Sequence, residues 1–341
     1  MDTLLFALNA VLPILLLIAL GYYLKRIRFL NENFLVIGNK FVFRVALPAL
    51  LYYTIYSISS MNEINWPVVL YSVMAIMILF LIGLIISLVF IKNPRQKGVI
   101  IQAVFRSNFA IIGIPLAEAI GGSQAVAVVA LVSAIVVPLM NVLSVIALAM
   151  FVKEEDAKSP FKSMLSTLTK IVKNPLIIGV ALGLLTLFIR SFIPIDSTTE
   201  LPVFSIKDNL EFLYLLIKWL GQVASPLALI ILGGTFDFFV IKPLAKQIVI
   251  GTVSRVVIAP LVTLSLAVLL SKYTTFFNFT SMHYPAFIAL LASPTAVSSA
   301  IMAKEMDNDE LLAVQLVVWT TTFSILSIFI IVVIFRATGL L

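Results

Sequence analysis

Long runs of apolar residues, separated by short polar segments, follow one another along the whole chain. Each run is close to the roughly 20 residues that an α-helix needs to cross a lipid bilayer. The pattern predicts ten membrane-spanning helices, at about 4–24, 36–58, 67–91, 98–120, 124–152, 175–193, 212–236, 245–270, 284–304 and 311–335. The predicted fold class is therefore an all-α polytopic membrane protein.

Composition narrows the function classes. The chain of 341 residues is 62% hydrophobic and 11% charged, whereas soluble domains are about 45–50% apolar and about 25% charged. These values exclude a soluble enzyme, a disordered protein and a disulfide scaffold. With no cysteine, one histidine and no phosphate-binding loop, the sequence predicts no enzyme, no cofactor and no metal site.

The positive charges predict an orientation. Most Lys and Arg residues lie in loops that follow odd-numbered spans, as in the cluster of Lys25, Arg26 and Arg28. Such loops stay on the cytoplasmic side, so we expect a cell-membrane protein with both termini outside. The net charge of +7 is thereby explained without nucleic acid. Since the basic cluster follows the first apolar run, we expect span 1 to remain in the mature protein.

The chain divides into two halves of five spans. Residues 1–152 form the first half, 153–174 a cytoplasmic amphipathic linker, and 175–341 the second half. The linker has apolar residues at helical spacing with lysines between them. Whether it regulates the protein or only joins the halves is left open.

The two halves share a proline pattern. Pro13 and Gly21 in span 1 are separated by the same interval as Pro175 and Gly183 in span 6. Prolines also recur at matching places in spans 2 and 7, and in spans 4 and 9. An odd number of spans per half inverts the second half, so the pattern predicts an inverted repeat, which is typical of secondary transporters.

Spans 4 and 9 contain residues that interrupt helices. A proline lacks an N–H group and clashes with the preceding turn, and unsatisfied backbone groups in lipid cost several kcal/mol. Paired interruptions therefore predict a binding site, where the N-termini of half-helices attract an anion. The predicted substrate-binding residues are Asn108, Gly113, Pro115, Asn141, Ser293, Pro294 and Thr295.

Charged residues within the spans are few. Arg106 precedes Asn108 by two residues and is a candidate for guiding an anion, although Arg44, Arg106 and Arg255 are also placed to reach the cytoplasmic headgroups. Glu118 is the candidate for proton coupling on an interrupted span. Sodium sites use clustered oxygen ligands, usually with a carboxylate, and the middle of the predicted spans lacks a carboxylate. The sequence therefore favours a proton, or no coupling ion, over sodium.

Four motifs resemble those of the auxin efflux carrier family. They are Arg106-Ser-Asn108-Phe-Ala-Ile-Ile-Gly113-Ile-Pro115-Leu, Ala46-Leu-Pro48, Ser225-Pro226-Leu-Ala-Leu and Ser293-Pro294-Thr295-Ala296. The family includes plant auxin exporters and bacterial permeases for malate, malonate and similar acids. The resemblance implies a fold similar to bile-acid and sodium–proton transporters, with crossover helices broken at Pro115 and Pro294 and an elevator-like motion. The short central loop fits the bacterial permeases.

The predicted function is secondary active transport of a small organic anion, such as a mono- or dicarboxylate. The expected partners are that anion and the lipid bilayer, and a homodimer is left open. Two alternatives remain: a sodium-coupled bile-acid-like symporter, and a channel or non-transporting sensor. His283, in the loop before span 9, is expected at the surface.

Overall fold

The computed structural model describes residues 2–57, 65–152, 173–194, 202–237, 239 and 241–341, and the described part is helical. Its helices are α1 (Asp2–Arg26), α2 (Glu32–Phe41), α3 (Leu47–Tyr56), α4 (Trp66–Phe90), α5 (Pro94–Phe105), α6 (Phe109–Ala149), α7 (Pro175–Arg190), α8 (Ile206–Asn209), α9 (Glu211–Thr235), α10 (Ile241–Val253), α11 (Ala259–Tyr273), α12 (Tyr284–Ala292), α13 (Ser298–Glu305) and α14 (Glu310–Ala337). π-Helical turns at Val42–Ala46 and Ser254–Ile258 join α2 to α3 and α10 to α11.

Six helical segments of the described part are long and apolar enough to cross a membrane. They are Glu32–Tyr56, Trp66–Phe90, Leu131–Ala149, Glu211–Thr235, Ile241–Tyr273 and Glu310–Ala337. The protein is thus a helical, multi-pass membrane protein. Predicted span 6 is a shorter apolar helix, Pro175–Arg190. Interruptions divide spans 4 and 9, so that α5 has 12 residues, α12 has 9 and α13 has 8, each too short to cross a membrane alone.

The interruption in span 4 does not lie where the sequence predicted it. Helix α5 ends at Phe105 and α6 begins at Phe109, so the break covers residues 106–108. Gly113 and Pro115 lie inside α6 instead. At residues 106–108 the freed backbone groups find partners in the interruption of span 9.

A single glycine divides α6. Gly122 has φ +68° and ψ −162°, a backbone conformation that residues other than glycine rarely adopt. The kink lies at the predicted boundary between spans 4 and 5. The side chains of several α6 residues, including Pro115 and Glu118, lie outside the described part, as does the predicted linker up to residue 172.

Helices α1 and α9 touch backbone to backbone. A Cβ atom on Gly21 would lie 2.1 Å from the Ile230 carbonyl oxygen, and one on Gly233 would lie 1.9 Å from that of Ile18. Helix α7 approaches the backbone of α3 in the same way, because a Cβ on Gly179 would lie 2.8 Å from the Cα of Pro48. A Cβ on Gly183 would lie 3.0 Å from the side chain of Ile55. These helices, together with the contact of α9 with α3, form what we call the glycine-packed group: α1, α3, α7 and α9.

The interrupted helices belong to a second group. Helix α5 packs between α4 and α6, α12 packs along α6, and α14 packs against α10 and α13. We call α4–α6 and α10–α14 the interrupted group. Its core includes the whole of α12, in which every residue is buried.

Candidate functional site

The two interruptions pair with each other in antiparallel fashion. The Asn108 N–H donates to the Pro294 carbonyl at 2.8 Å, and the Ala296 N–H donates to the Arg106 carbonyl at 3.1 Å. This is the geometry of a two-residue β-bridge between the chains of spans 4 and 9. It fixes the ends of four half-helices around one point.

Side chains satisfy further backbone groups at the break. The Thr295 hydroxyl donates to the Ala103 carbonyl at 3.2 Å, and the Ser293 hydroxyl donates to the Ala289 carbonyl at 2.5 Å. The Thr295 N–H donates to the hydroxyl of Thr320 at 3.1 Å. Ser293 and Thr295 therefore hold the backbone of the break together.

A cavity of about 50 Å³ lies between the break and the glycine-packed group. Its lining residues are Leu47, Leu50, Leu51, Arg106, Ser107, Asn108, Val137, Met140, Asn141, Ala224, Ser225, Ala228, Ala296, Val297 and Ser298. The polar residues come mostly from the interrupted group, whereas α3 and α9 supply an apolar wall broken by Ser225. The volume is comparable to that of a few water molecules or one carboxylate group.

Arg106 places a positive charge at this cavity. The residue is 3% exposed, and its Nη2 donates to Asn141 Oδ1 at 2.6 Å and to Ser298 Oγ at 2.8 Å. Its Nη1 contacts the sulfur of Met302. Within the described residues no carboxylate lies at ion-pair distance from the guanidinium. The guanidinium is enclosed by other protein side chains and is not exposed at the helix surface, which contradicts the snorkelling interpretation for this residue.

Asn108 brings an unused donor to the same cavity. The residue is 3% exposed, and its Nδ2 has no hydrogen-bond partner in the structure. A buried polar group left unpaired costs about 1–3 kcal/mol, so such groups mark places where a ligand or water binds. The helices that begin beside it, α6 and α13, both start without a side-chain cap, so no capping side chain offsets the partial positive charge of their first turns.

Arg255 lies on the opposite side of the break. Its side chain is fully buried and donates to four backbone carbonyls: those of Ser293 at 2.8 Å, Val104 at 2.9 Å, and Leu290 and Leu291 at 3.2 Å. All four carbonyls belong to the C-terminal ends of α5 and α12. The snorkelling interpretation is wrong here too, although Arg44 is exposed.

The predicted site residues divide into three sets. Arg106, Asn108 and Asn141 line the cavity, and Asn141 both braces α6 through Val137 and contacts Arg106. Ser293, Pro294 and Thr295 shape the break without lining the cavity. Gly113 makes room for the ring of Phe109, 2.7 Å from where its Cβ would be. The side chains of Pro115 and Glu118 lie outside the described part.

Three polar cavity residues were not among the predicted site residues. Ser107 lies within the break in span 4, Ser298 begins the helix after the break in span 9, and Ser225 lines the cavity from α9. Ser225 lies in the Ser-Pro-Leu-Ala-Leu motif that carries the family resemblance, so the motif was a usable signal. The contact of Ser298 with Arg106 needs the folding of spans 4 and 9 against each other.

His283 is more buried than expected. It is 9% exposed and accepts the Thr280 N–H at Nδ1 over 3.0 Å, while Nε2 lies 3.3 Å from the side-chain amide of Asn65. Burial lowers the pKa of His283 below its ordinary value. The residue lies outside the cavity and joins two loops.

Comparisons with known proteins relate the chain to membrane transporters. A family described as membrane transport protein matches residues 6–332. An uncharacterized transporter from Methanocaldococcus jannaschii is 24% identical over 324 residues, which cover 94% of this chain and 96% of that protein. The match over nearly the whole chain confirms the resemblance, and the chain belongs to the auxin efflux carrier family of membrane transport proteins.

Proposed function

We propose that this protein is a secondary active carrier for a small organic anion, and that the anion binds in the cavity beside the break. The observation that carries this proposal is the uncompensated guanidinium of Arg106 next to the unused Nδ2 of Asn108. A carboxylate accepts hydrogen bonds from both kinds of donor, and charge-assisted bonds are the stronger ones. The uncapped starts of α6 and α13 add positive potential.

The cavity chemistry favours one carboxylate per substrate. Arg106 is the one cationic side chain among the lining residues, and most of the remaining wall is apolar. A second carboxylate would be buried without a partner, which costs several kcal/mol. We therefore expect a small monocarboxylate to bind at least tenfold more tightly than a dicarboxylate with the same carbon skeleton, about 1.4 kcal/mol.

The division of the cavity wall supports elevator-type alternating access. Polar contacts to the anion come mainly from the interrupted group, and the glycine-packed group contributes the apolar side. An anion held by the interrupted group would move with it along a wall that offers few polar contacts. The backbone contacts of α1 with α9 are suited to a rigid scaffold, because side chains do not separate the two helices.

Reciprocal packing supports the inverted repeat of ten spans. Gly21 of span 1 contacts span 7, and Gly183 of span 6 contacts span 2. A two-fold relation between halves of five spans requires these two contacts to be equivalent. The antiparallel pairing of spans 4 and 9 is likewise what a two-fold axis through the break would produce. With this topology, the loop charges place both termini outside the cell membrane.

Two measurements test this proposal: the thermal stability of the protein with candidate substrates, and then transport of the stabilising substrate. Purified protein is heated with a panel of mono- and dicarboxylates, since a ligand at 100 times its Kd adds about 2.7 kcal/mol. The stabilising acid is then tested for saturable uptake and counterflow in proteoliposomes, and the Arg106→Ala, Asn108→Ala and Arg44→Ala variants are compared. We expect the Arg106→Ala variant to lose both effects, the Asn108→Ala variant to show both with weaker affinity, and the Arg44→Ala variant to keep them.

The outcomes separate the alternatives. Non-saturable flux without counterflow would identify a channel, and stabilisation without flux would indicate a sensor. Equal stabilisation of wild type and of the Arg106→Ala and Asn108→Ala variants would place the binding site elsewhere. Stronger stabilisation by dicarboxylates would contradict the inference of one carboxylate per substrate.

A further inference from the structure

We infer that Arg255 is a built-in cation, which occupies the place where a sodium-coupled carrier of this kind would bind its coupling ion. In carriers with discontinuous helices, the N-termini of half-helices face anionic substrates, and their C-termini together with unwound carbonyls coordinate cations. The break in this protein has both kinds of end. Arg255 lies at the cation-binding kind.

The carbonyls around Arg255 are ones that the break leaves without helical partners. In an uninterrupted helix the Leu290 carbonyl would accept the N–H of residue 294, but Pro294 has none. The Val104 carbonyl would accept the Asn108 N–H, which instead donates to Pro294. The guanidinium donates to both carbonyls, at 3.2 Å and 2.9 Å. One side chain thus joins the C-terminal ends of α5 and α12.

The positive charge matters as well as the hydrogen bonds. Two helix C-termini, each with a partial negative charge, converge on a fully buried side chain. No carboxylate among the described residues lies within ion-pair distance of it. The carbonyl dipoles therefore compensate the buried charge, and the charge compensates the dipoles. This is the electrostatic balance that a bound monovalent cation would otherwise provide.

If the proposed transport function holds, Arg255 makes transport independent of sodium. Because the guanidinium is covalently attached to the chain, the break keeps its shape when no sodium ion is bound. Initial uptake rates of wild-type protein should be equal when sodium in the medium is replaced by a large organic cation. Stimulation by sodium of about tenfold or more would overturn the inference.

Chemical rescue tests the role of Arg255 directly. The Arg255→Ala variant removes the guanidinium and leaves a cavity of its shape. We expect its Tm and its uptake rate to fall, and low millimolar guanidinium to restore both in part. Urea has the same planar shape without the charge, and at equal concentration it should restore neither. Rescue by urea and guanidinium alike, or by neither, would contradict a cationic role.

Two further variants keep the test interpretable. The matched control is Arg44→Ala, since Arg44 also lies in a π-helical turn but is exposed, and guanidinium should leave this variant unchanged. The Arg255→Lys variant keeps the charge but cannot reach four carbonyls at once, so its Tm should lie between those of wild type and Arg255→Ala. A Tm for Arg255→Lys no higher than that of Arg255→Ala would count against the inference.

The stability measurements separate this inference from the proposed function. If no anion is transported by wild-type protein, the proposed function fails, while the difference between guanidinium and urea still decides the role of Arg255. If uptake is found but urea rescues as well as guanidinium does, the carrier function stands and the built-in cation is wrong.

Discussion

Two buried arginines lie on opposite sides of one break and contact different kinds of groups. Arg106 bonds to side chains, borders a cavity and lies beside an unused amide donor. Arg255 bonds to four backbone carbonyls and does not line that cavity. The first faces the starts of α6 and α13, and the second faces the ends of α5 and α12.

The difference shows that the role of a buried arginine depends on whether it faces the N-termini or the C-termini of helices. Helix starts repel a cation and helix ends attract one, so Arg255 is held firmly by its surroundings. Arg106 has no carboxylate partner among the described residues, and the proposed function assigns its charge to a bound anion. Under the proposed function, the same residue type stabilises the fold at one position and binds a ligand at the other.

The largest expected effect is on the stability of Arg255→Ala. Each carbonyl left buried without a hydrogen-bond donor costs about 1–3 kcal/mol, and this substitution removes the Arg255 donor from four carbonyls. We expect a fall in Tm on the order of 10 °C, measured by thermal unfolding in detergent. A fall in Tm no larger than that of Arg44→Ala would show that Arg255 does not stabilise the fold.

The next effect is on transport by Arg106→Ala. Hydrogen bonds to charged groups contribute about 1.5–3 kcal/mol, which corresponds to a loss of about 10–150-fold in uptake at low substrate concentration. Its Tm should fall less than that of Arg255→Ala, because its partners border a cavity that water can enter. Uptake in proteoliposomes and thermal unfolding measure the two effects separately, and a larger loss of stability than for Arg255→Ala would reverse the comparison.

A smaller effect is expected for Asn108→Leu. The Asn108 Nδ2 has no partner in the structure, so replacing it with an apolar group of similar size should leave Tm unchanged or raise it. Substrate affinity should fall about fivefold, as measured by the concentration of carboxylate that stabilises the protein. The matched variant is Asn141→Leu, which should lower both affinity and Tm because Asn141 bonds to Arg106 and Val137. Equal behaviour of the two variants would contradict the assignment of Asn108 to the ligand.

The smallest effect concerns His283, away from both arginines. Its pKa is lowered in the folded protein, so the unfolded chain binds a proton first as the pH falls. The stability that neutral His283 contributes is complete above about pH 6.5 and decreases as the pH falls through the folded pKa. We expect Tm to drop by about 1–2 °C more in wild type than in His283→Gln between about pH 7.5 and about pH 5.5. An identical pH profile for the two proteins would show that His283 does not contribute.

Local sequence features predicted the helices well. Uninterrupted apolar runs require helices in a membrane, because a helix satisfies its own backbone groups. The helices from Trp66, Glu211 and Glu310 begin within a residue or so of their predicted starts. The break in span 9 at Ser293-Pro294-Thr295 was also predicted correctly, since a proline marks it in the sequence.

The break in span 4 was misplaced because it has no proline of its own. Pro115 lies inside α6, while the chain opens at residues 106–108. The partners of that opening, the carbonyl of Pro294 and the N–H of Ala296, come from almost 200 residues further along the chain. No local pattern contains such information.

The sequence by itself determined that this is a helical membrane protein with breaks in two spans and polar residues beside them. Composition and the period of apolar residues decide this, because the bilayer allows few other structures. Only the tertiary structure decided which of its arginines meets a cavity and which meets carbonyls. Both were predicted to lie near the cytoplasmic ends of spans, and the opposite polarity of helix starts and helix ends separates them once spans 4, 8 and 9 pack together.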